Sequence, residues 1–248
     1  GDKVLCCCYN LGMNKPGGFG QYIRVPAAWV MACPDGLPLK EAMMYGTGGF
    51  TAALSVEKLM SSGVAPANGK VLVTGATGGV GSLSVAILAK SGFQVVAASG
   101  KSDQLEFLQS LGATEVVGRE AVTDKKGMAL LKTKWAGVID TVGGEILATA
   151  LKSVKYGGAV TCCGNVASPE LVTTVYPFIL RGVSLVGIDA AECDMATRER
   201  VWGKLAGQWR IDGIDNMVAE IALADLPEQI ELMLAGRHRG RVVVNLDR

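Results

Sequence analysis

The chain has 248 residues, 49% of them apolar, with 24 basic against 23 acidic side chains and a net charge of +1. This is the composition of an ordinary soluble globular protein, long enough for one large domain or two small ones. The balanced charge gives no electrostatic case for nucleic acid or a membrane surface, and no apolar run approaches the ~20 residues of a membrane helix.

The chain opens Gly1-Asp2-Lys3-Val4, without Met or a signal peptide, and this reads as a start that is not the natural one. Residues 1–45 are rich in Gly, Pro and Cys, with short strands expected at Val4–Tyr9, Gly20–Val25 and Trp29–Ala32, as in part of an antiparallel β-domain. The middle of the chain alternates strands and helices. Strands are expected near Val71–Thr74, Gln94–Ala98, Glu115–Val117, Gly137–Asp140, Ala159–Cys163 and Ser184–Ile188. Each is a short run apolar on both faces, as a buried parallel sheet requires. Helices are expected at Val80–Ser91, Asp103–Leu111 and Glu145–Tyr156. They end at Gly92, Gly112 and Gly157-Gly158, where left-handed caps belong, and Asp103 or Ser102 can cap the second. Six strands with intervening helices make an α/β, Rossmann-type, doubly wound sheet, with ligands at the carboxyl ends of its strands. The C-terminal part gives a helix at Arg200–Trp209, a strand near Ala219–Leu223, a helix at Pro227–Leu234 and a last strand, Arg241–Leu246. Residues 1–45 and 190–248 are read together as a second domain flanking the nucleotide domain, 46–189.

The most informative stretch is Val71-Leu72-Val73-Thr74-Gly75-Ala76-Thr77-Gly78-Gly79-Val80-Gly81. A β-branched run enters a glycine-rich turn and then an apolar helix, the context that gives a glycine motif meaning as a dinucleotide site. Gly75 allows the tight turn, Gly78 lets a pyrophosphate approach the backbone, and Gly81 lets the helix pack closely on the strand. The first amides of that helix lack internal partners and lie at its positive end, so they suit phosphate. An NAD site places Asp or Glu at the end of the second strand. Here that strand ends in Ser99-Gly100-Lys101, with no acid. A hydroxyl, a free amide and an ammonium suit a 2′-phosphate, so NADPH is expected. Arg119 could close over the same phosphate, or pair with Glu120 at the surface.

The seven cysteines stand as Cys6-Cys7-Cys8, Cys33, Cys162-Cys163 and Cys193. Adjacent cysteines on strands point to opposite faces and suit a disulfide framework poorly. Their odd number indicates free thiols in a reducing, cytoplasmic compartment. Zinc would want Cys-x-x-Cys or paired His, and neither is present. His238 is the single histidine and lies in a polar surface turn, Arg237-His238-Arg239-Gly240-Arg241.

Further blocks carry a family likeness. Gly1-Asp2-x-Val4, Gly17-Gly18-Phe19-Gly20-Gln21-Tyr22, Gly46-Thr47-Gly48-Gly49-Phe50-Thr51-Ala52, the glycine turn, Asp140-Thr141-Val142-Gly143, Tyr156-Gly157-Gly158, Pro177–Val183 and Gly240-Arg241-Val242 follow one another in order. Together they resemble the zinc-independent quinone oxidoreductase branch of the medium-chain dehydrogenases/reductases. The bacterial quinone oxidoreductase and acrylyl-CoA reductase subgroup is the nearest likeness, and it covers essentially the whole chain. The resemblance implies a GroES-like β-domain, of which only remnants are expected here, because family members begin earlier. The earlier segment supplies the Asn and Tyr thought to face the substrate.

The same resemblance implies NADPH-dependent reduction of an activated C=C or a quinone. Thr77, Gly78, Gly79 and Val80 would hold the pyrophosphate; Ser99, Gly100, Lys101 and Arg119 the 2′-phosphate. Asn165, Ile179 and Ala190 would line the nicotinamide end, Ile179 and Ala190 having a core role as the alternative. Thr51, expected at the start of a helix crossing between domains, would lie near the nicotinamide, and Arg241 where the chain returns to the cleft. No metal and no catalytic residue is assigned. Tyr9, Tyr22 and Tyr45 are available phenols, with packing as the alternative. Arg181, Arg198 and Arg200 could form a basic patch for CoA phosphates, or be solvated. A homodimer through the Val183–Ile188 edge strand is expected, with a small-molecule substrate and neither nucleic acid nor membrane as partner. The other readings are an NADPH-binding sensor or crystallin-like protein without turnover, and a fragment inactive as it stands.

Overall fold

The computed structural model describes residues 1–248, the side chain of Ser102 excepted. In chain order it contains β1 (Val4–Leu5), β2 (Met31–Ala32), α1 (Leu39–Ser61), β3 (Val71–Val73), α2 (Gly79–Lys90), β4 (Val95–Ala98), α3 (Leu105–Ser110), β5 (Glu115–Val117), β6 (Trp135–Asp140) and α4 (Gly144–Ser153). There follow β7 (Val154–Cys162), α5 (Tyr176–Arg181), β8 (Ser184–Gly187), α6 (Met195–Ala206), β9 (Val218–Ala222), α7 (Leu226–Leu234) and β10 (Arg241–Asn245). The chain divides into two compact units, Gly1–Phe50 with Asp189–Arg248, and Thr51–Ile188.

The second unit, Thr51–Ile188, is a six-stranded sheet of order β5-β4-β3-β6-β7-β8, and every neighbouring pair in it is parallel. Numbered within the sheet this is 3-2-1-4-5-6, the Rossmann order, whose switch point lies between β3 and β6. The strands are apolar on both faces because both are covered. Val71, Leu72 and Val73 are fully buried, and Leu72 packs with Val96, Val138, Leu147, Leu151 and Val160. Each such side chain contributes roughly 1.5–3 kcal/mol by leaving water. Helix α2 is buried along most of its length, from Gly81 to Leu88, so its apolar residues run all round it rather than along one stripe.

Helix α4 differs from expectation at its end. It stops at Ser153, and the chain passes directly into β7 at Val154, which pairs with Trp135. Gly157, at φ +68, and Gly158, whose Cβ would meet the Ala136 carbonyl oxygen, belong to an irregularity in β7 rather than to a helix cap. A glycine pair serves either purpose, since a bulge and a cap both need what only glycine allows. The expected helix Asp103–Leu111 is a short 3-10 turn, Ser102–Gln104, followed by α3.

The first unit carries the antiparallel pair β1–β2 and the parallel pair β9–β10. Strand β1 ends at Leu5, not at Tyr9, because Cys8 and Tyr9 take left-handed backbone, φ +71 and +52. Residues 20–25 form no strand. Helix α6 starts at Met195, earlier than expected, because the Asp194 side chain accepts the Thr197 amide at 2.7 Å and caps it. Trp202 stacks on Phe50 at 6.3 Å and meets Tyr45 edge-on at 6.5 Å. The Arg210 guanidinium grips the Glu41 carboxylate with two contacts, 2.7 and 2.9 Å. Helix α1 is broken at Gly46, at φ 48 and ψ −154. Thr51 therefore lies a full turn beyond the break, rather than at the start of a helix as expected.

Candidate functional site

At the carboxyl end of β3 the chain turns through Gly75–Gly78 into α2. Two of the glycines are demanded by the fold itself. Gly75 has φ +59, and a Cβ there would run into the Thr141 hydroxyl. A Cβ on Gly81 would strike the Gly75 carbonyl oxygen and lie 2.8 Å from the Ala76 Cα. Gly78 is different. Its backbone is ordinary, at φ −77 and ψ 173, and a Cβ would meet only the Gly75 oxygen, at 3.3 Å. Gly78 caps α2 without a side-chain bond, so the Gly79 and Val80 amides in the first turn have no intrahelical acceptor and lie at the positive end of the helix dipole. This is a cradle that fits a pyrophosphate. Thr77, beside it, is buried.

The turn is tied to β6 by a buried network. The Thr74 hydroxyl donates to Asp140 Oδ1 at 2.7 Å and accepts the Thr141 amide at 3.1 Å. Thr141 Oγ1 donates to the Thr74 carbonyl at 2.9 Å. Asp140 Oδ2 accepts the Val142 and Gly143 amides at 3.2 and 2.8 Å. Asp140 is fully buried. Burial raises its carboxyl above the ordinary Asp value, opposed by the Thr74 and backbone hydrogen bonds. This anchoring was missed in the sequence, where its only sign was an acid and a glycine pair directly after the strand beside the glycine turn.

At the next strand end, Ser99 is buried, its amide donates to the Val117 carbonyl at 3.0 Å, and its Oγ accepts the Lys101 amide at 3.0 Å. The Arg119 guanidinium lies over Gly100, so that a Cβ on that glycine would come within 2.9 Å of Nη2. The Glu120 carboxylate instead covers Gly118. The structure thus brings Ser99, Gly100, Lys101 and Arg119 together, and no acid stands at the end of β4. On the other side of the switch point, the loops after β6 and β7 meet: a Cβ on Gly143 would lie 3.2 Å from the Asn165 Cα. Asn165 is exposed there. Ile179, on α5, is 67% exposed, so it is not core. Thr51 is buried in α1 of the same unit, and Ser55 Oγ donates to its carbonyl at 2.8 Å.

Ala190 and Arg241 belong to the first unit. The Ala190 carbonyl accepts Arg198 Nη2 at 3.2 Å. Arg241 Nε donates to the Met44 carbonyl at 3.1 Å, and Nη2 lies 2.9 Å from where a Cβ of Gly46 would be. Burial lowers the pKa of this guanidinium. The expected basic patch is corrected. Arg181 and Arg198 form no basic patch: Arg181 donates to the Lys152 and Leu131 carbonyls at 2.8 and 2.7 Å, and Arg198 is 2% exposed. Tyr9 packs flat on Trp29 at 4.8 Å. The Tyr45 hydroxyl accepts the Ile211 amide at 2.7 Å, and burial pushes its pKa up to about 12. Tyr22 is 93% exposed and packs on nothing substantial. His238 Nε2 lies 2.9 Å from the Gly240 carbonyl. Among the described residues, no three of His, Cys, Asp and Glu are grouped so as to hold a metal ion.

Residues 79–205 match a family described as zinc-binding dehydrogenase. The chain is 46% identical to "Putative quinone oxidoreductase YhfP" of Bacillus subtilis, over 99% of this chain and 75% of that protein. It is 41% identical to the acrylyl-CoA reductase AcuI of Ruegeria pomeroyi, over 100% of this chain and 75% of that one. The chain belongs to the medium-chain dehydrogenase/reductase superfamily. Among solved structures, the yhdH oxidoreductase of Salmonella enterica in complex with NADP superposes with a TM-score of 0.96 at 40% identity, covering 99% of this chain and 75% of that one. Bacillus subtilis yhfP with NAD bound also gives 0.96, at 46% identity, with the same coverage. Such likeness over nearly all of this chain makes it a nicotinamide-dependent oxidoreductase of α/β Rossmann type.

Proposed function

We propose that the chain reduces an electron-poor C=C, as in an acrylyl-CoA-like enone, or a quinone, with NADPH as the reductant. The observation that carries the cofactor choice is the Arg119 guanidinium laid over Gly100 beside Ser99 and Lys101. A 2′-phosphate meets the Arg119 guanidinium and the Ser99 hydroxyl there, with Lys101 next in the chain, and β4 ends without an acid. NADPH supplies the hydride when bound. The protein's part is to hold and orient. The Gly79 and Val80 amides receive the pyrophosphate, and the space over Gly78 admits it. Asn165 and Ile179 offer exposed polar and apolar surface beyond the ends of β7 and on α5, for the nicotinamide end. Thr51, Ala190 and Arg241 are assigned to that end on the family likeness. The substrate classes come from the names of YhfP and AcuI.

Fluorescence titration with NADPH and NADH tests the cofactor reading. Arg119→Ala weakens NADPH about tenfold, the loss of one charge-assisted contact, and leaves NADH unchanged. An equal loss for both cofactors refutes it. Oxidation of NADPH with acrylyl-CoA or a simple quinone tests the reaction; tight NADPH binding without turnover of either refutes that part.

The chain is read as zinc-independent, since its one histidine sits in a turn and five of its seven cysteines stand in contiguous runs. All seven cysteines are unpaired, which suits a cytoplasmic setting. Strand β8 is an edge of the sheet with Leu185 partly exposed, and an uncovered apolar edge favours a homodimer. A monomeric mass by light scattering would count against the dimer.

A further inference from the structure

The first unit holds thiols against a buried cation that lacks a carboxylate. The Arg198 guanidinium donates to four carbonyls: Cys193 at 3.1 Å, Cys7 at 3.1 Å, Ala190 at 3.2 Å and Ala191 at 2.7 Å. It also lies 4.0 Å above the Tyr9 ring. None of these partners carries a formal charge. A cation removed from water and met only by neutral dipoles stabilises any negative charge formed beside it.

Cys8 occupies that position. Its sulfur is in hydrogen-bond reach of Arg198 and of the Cys7 thiol and lies 3.7 Å from Thr47 Oγ1. The left-handed backbone at Cys8 and Tyr9 turns the chain out of β1. That turn is held by the Tyr9 amide on the Ala191 carbonyl at 3.2 Å and by the Tyr9–Trp29 stack. Of the carboxylates, Asp189 and Asp194 act on the cluster through Cys193, and Asp194 is engaged in capping α6.

The hydrogen bond from Cys7, then those of Thr47 and Arg198, hold the Cys8 thiol below the ordinary range, against the opposing effect of burial. Cys7 is pushed up and keeps its proton, chiefly because it donates to Cys8.

We propose that Cys8 is a nucleophilic thiolate and a covalent modification site for electron-poor alkenes, with Arg198 as its counter-cation and Cys7 as its hydrogen-bond donor. The thiolate sulfur adds to the β-carbon of the alkene. The C–S bond forms as the C=C π bond breaks, and the electron pair moves to the carbonyl oxygen as an enolate. That enolate takes a proton from water at the α-carbon. No oxidant, reductant or leaving group is needed. The site stands whether or not the hydride-transfer reading does.

The test uses N-ethylmaleimide on the whole chain, with intact mass to count adducts and peptide mapping to place them. At pH 6.5 a thiol held below the ordinary range is richer in thiolate than its neighbours, and its lower intrinsic nucleophilicity offsets only part of that. The first equivalent is therefore expected on Cys8, about tenfold faster than on the other cysteines, with a rate that levels off while theirs still climb. Cys8→Ser abolishes the fast phase, and Cys7→Ala moves its midpoint upward. A first adduct elsewhere, or a Cys8 rate still climbing above pH 8, overturns the proposal. Both readouts come from the unaltered protein, so they hold even if a variant fails to fold.

Discussion

The glycine turn after β3 and the thiol cluster around Arg198 are both built to hold negative charge, but by opposite means. The turn uses backbone. Gly75 and Gly81 let chain segments approach where a side chain would collide, and helix amides supply the positive potential. The cluster uses one long side chain. Arg198 reaches back across 191 positions of sequence to the Cys7 carbonyl and fastens a loop that has no regular structure of its own. The first device is local and repeats a known spacing. The second is assembled only by folding. A charge site made of backbone tolerates no added atom, whereas one made of a side chain fails when that side chain is shortened.

The sharpest way to break this contrast is Gly81→Val. The added carbons meet the Gly75 carbonyl and the Ala76 backbone, neither of which can swing aside. A loss of roughly 3 kcal/mol or more is expected, at the upper end for overpacking. Urea unfolding checks it, and a loss under about 1 kcal/mol would show that the turn is not backbone-limited. Next in size is Arg198→Met. It strands the four carbonyls and removes the stack on Tyr9. It also relieves a buried charge, so the net loss is held to roughly 2–4 kcal/mol. Limited proteolysis within residues 6–20 should rise with it. Unchanged protection there would mean the loop is held by other contacts.

Gly78→Ala separates folding from binding within the turn itself. Its backbone is ordinary and its one close neighbour is 3.3 Å away. Stability should change by less than about 1 kcal/mol, while NADPH affinity falls about tenfold, or ~1.4 kcal/mol. Equal affinity would remove the pyrophosphate from this position.

The same contrast explains what could be read from the sequence. The six strands of the sheet and the cradle glycines were legible because burial on both faces and the Gly75–Gly81 spacing are local signals. The end of α4 was not, since Gly157-Gly158 reads equally well as cap or bulge until β6 is seen pairing with β7. Arg119 was placed by its position after β5, but its orientation over Gly100, away from Glu120, needed the fold. Arg198 was misread as a surface residue because nothing in Thr197-Arg198-Glu199-Arg200 marks one arginine as buried. The strand expected over Cys6–Tyr9 failed for the same reason. The tertiary contacts of Tyr9 with Trp29 and Arg198 outweigh the β preference of the run.

The smallest expected effect lies at the buried side-chain anchor of the backbone turn. Asp140 is held by Thr74 and two amides, yet burial dominates and its carboxyl titrates above the unfolded value of about 3.9. A raised acid binds its proton more tightly in the folded state. Its contribution to stability is fully present below pH ~4 and is lost as pH rises through the folded pKa. Asp140→Asn keeps an acceptor for the Val142 and Gly143 amides and can donate to Thr74 Oγ1, so at pH 7 it should alter stability by no more than about 1 kcal/mol. The difference between wild type and variant isolates this one group. Measured by urea unfolding from pH 4 upward, it should fall and then level off. A difference that rises with pH would mean that the hydrogen bonds outweigh burial, and that the anchor holds the turn as a net-stabilised carboxylate.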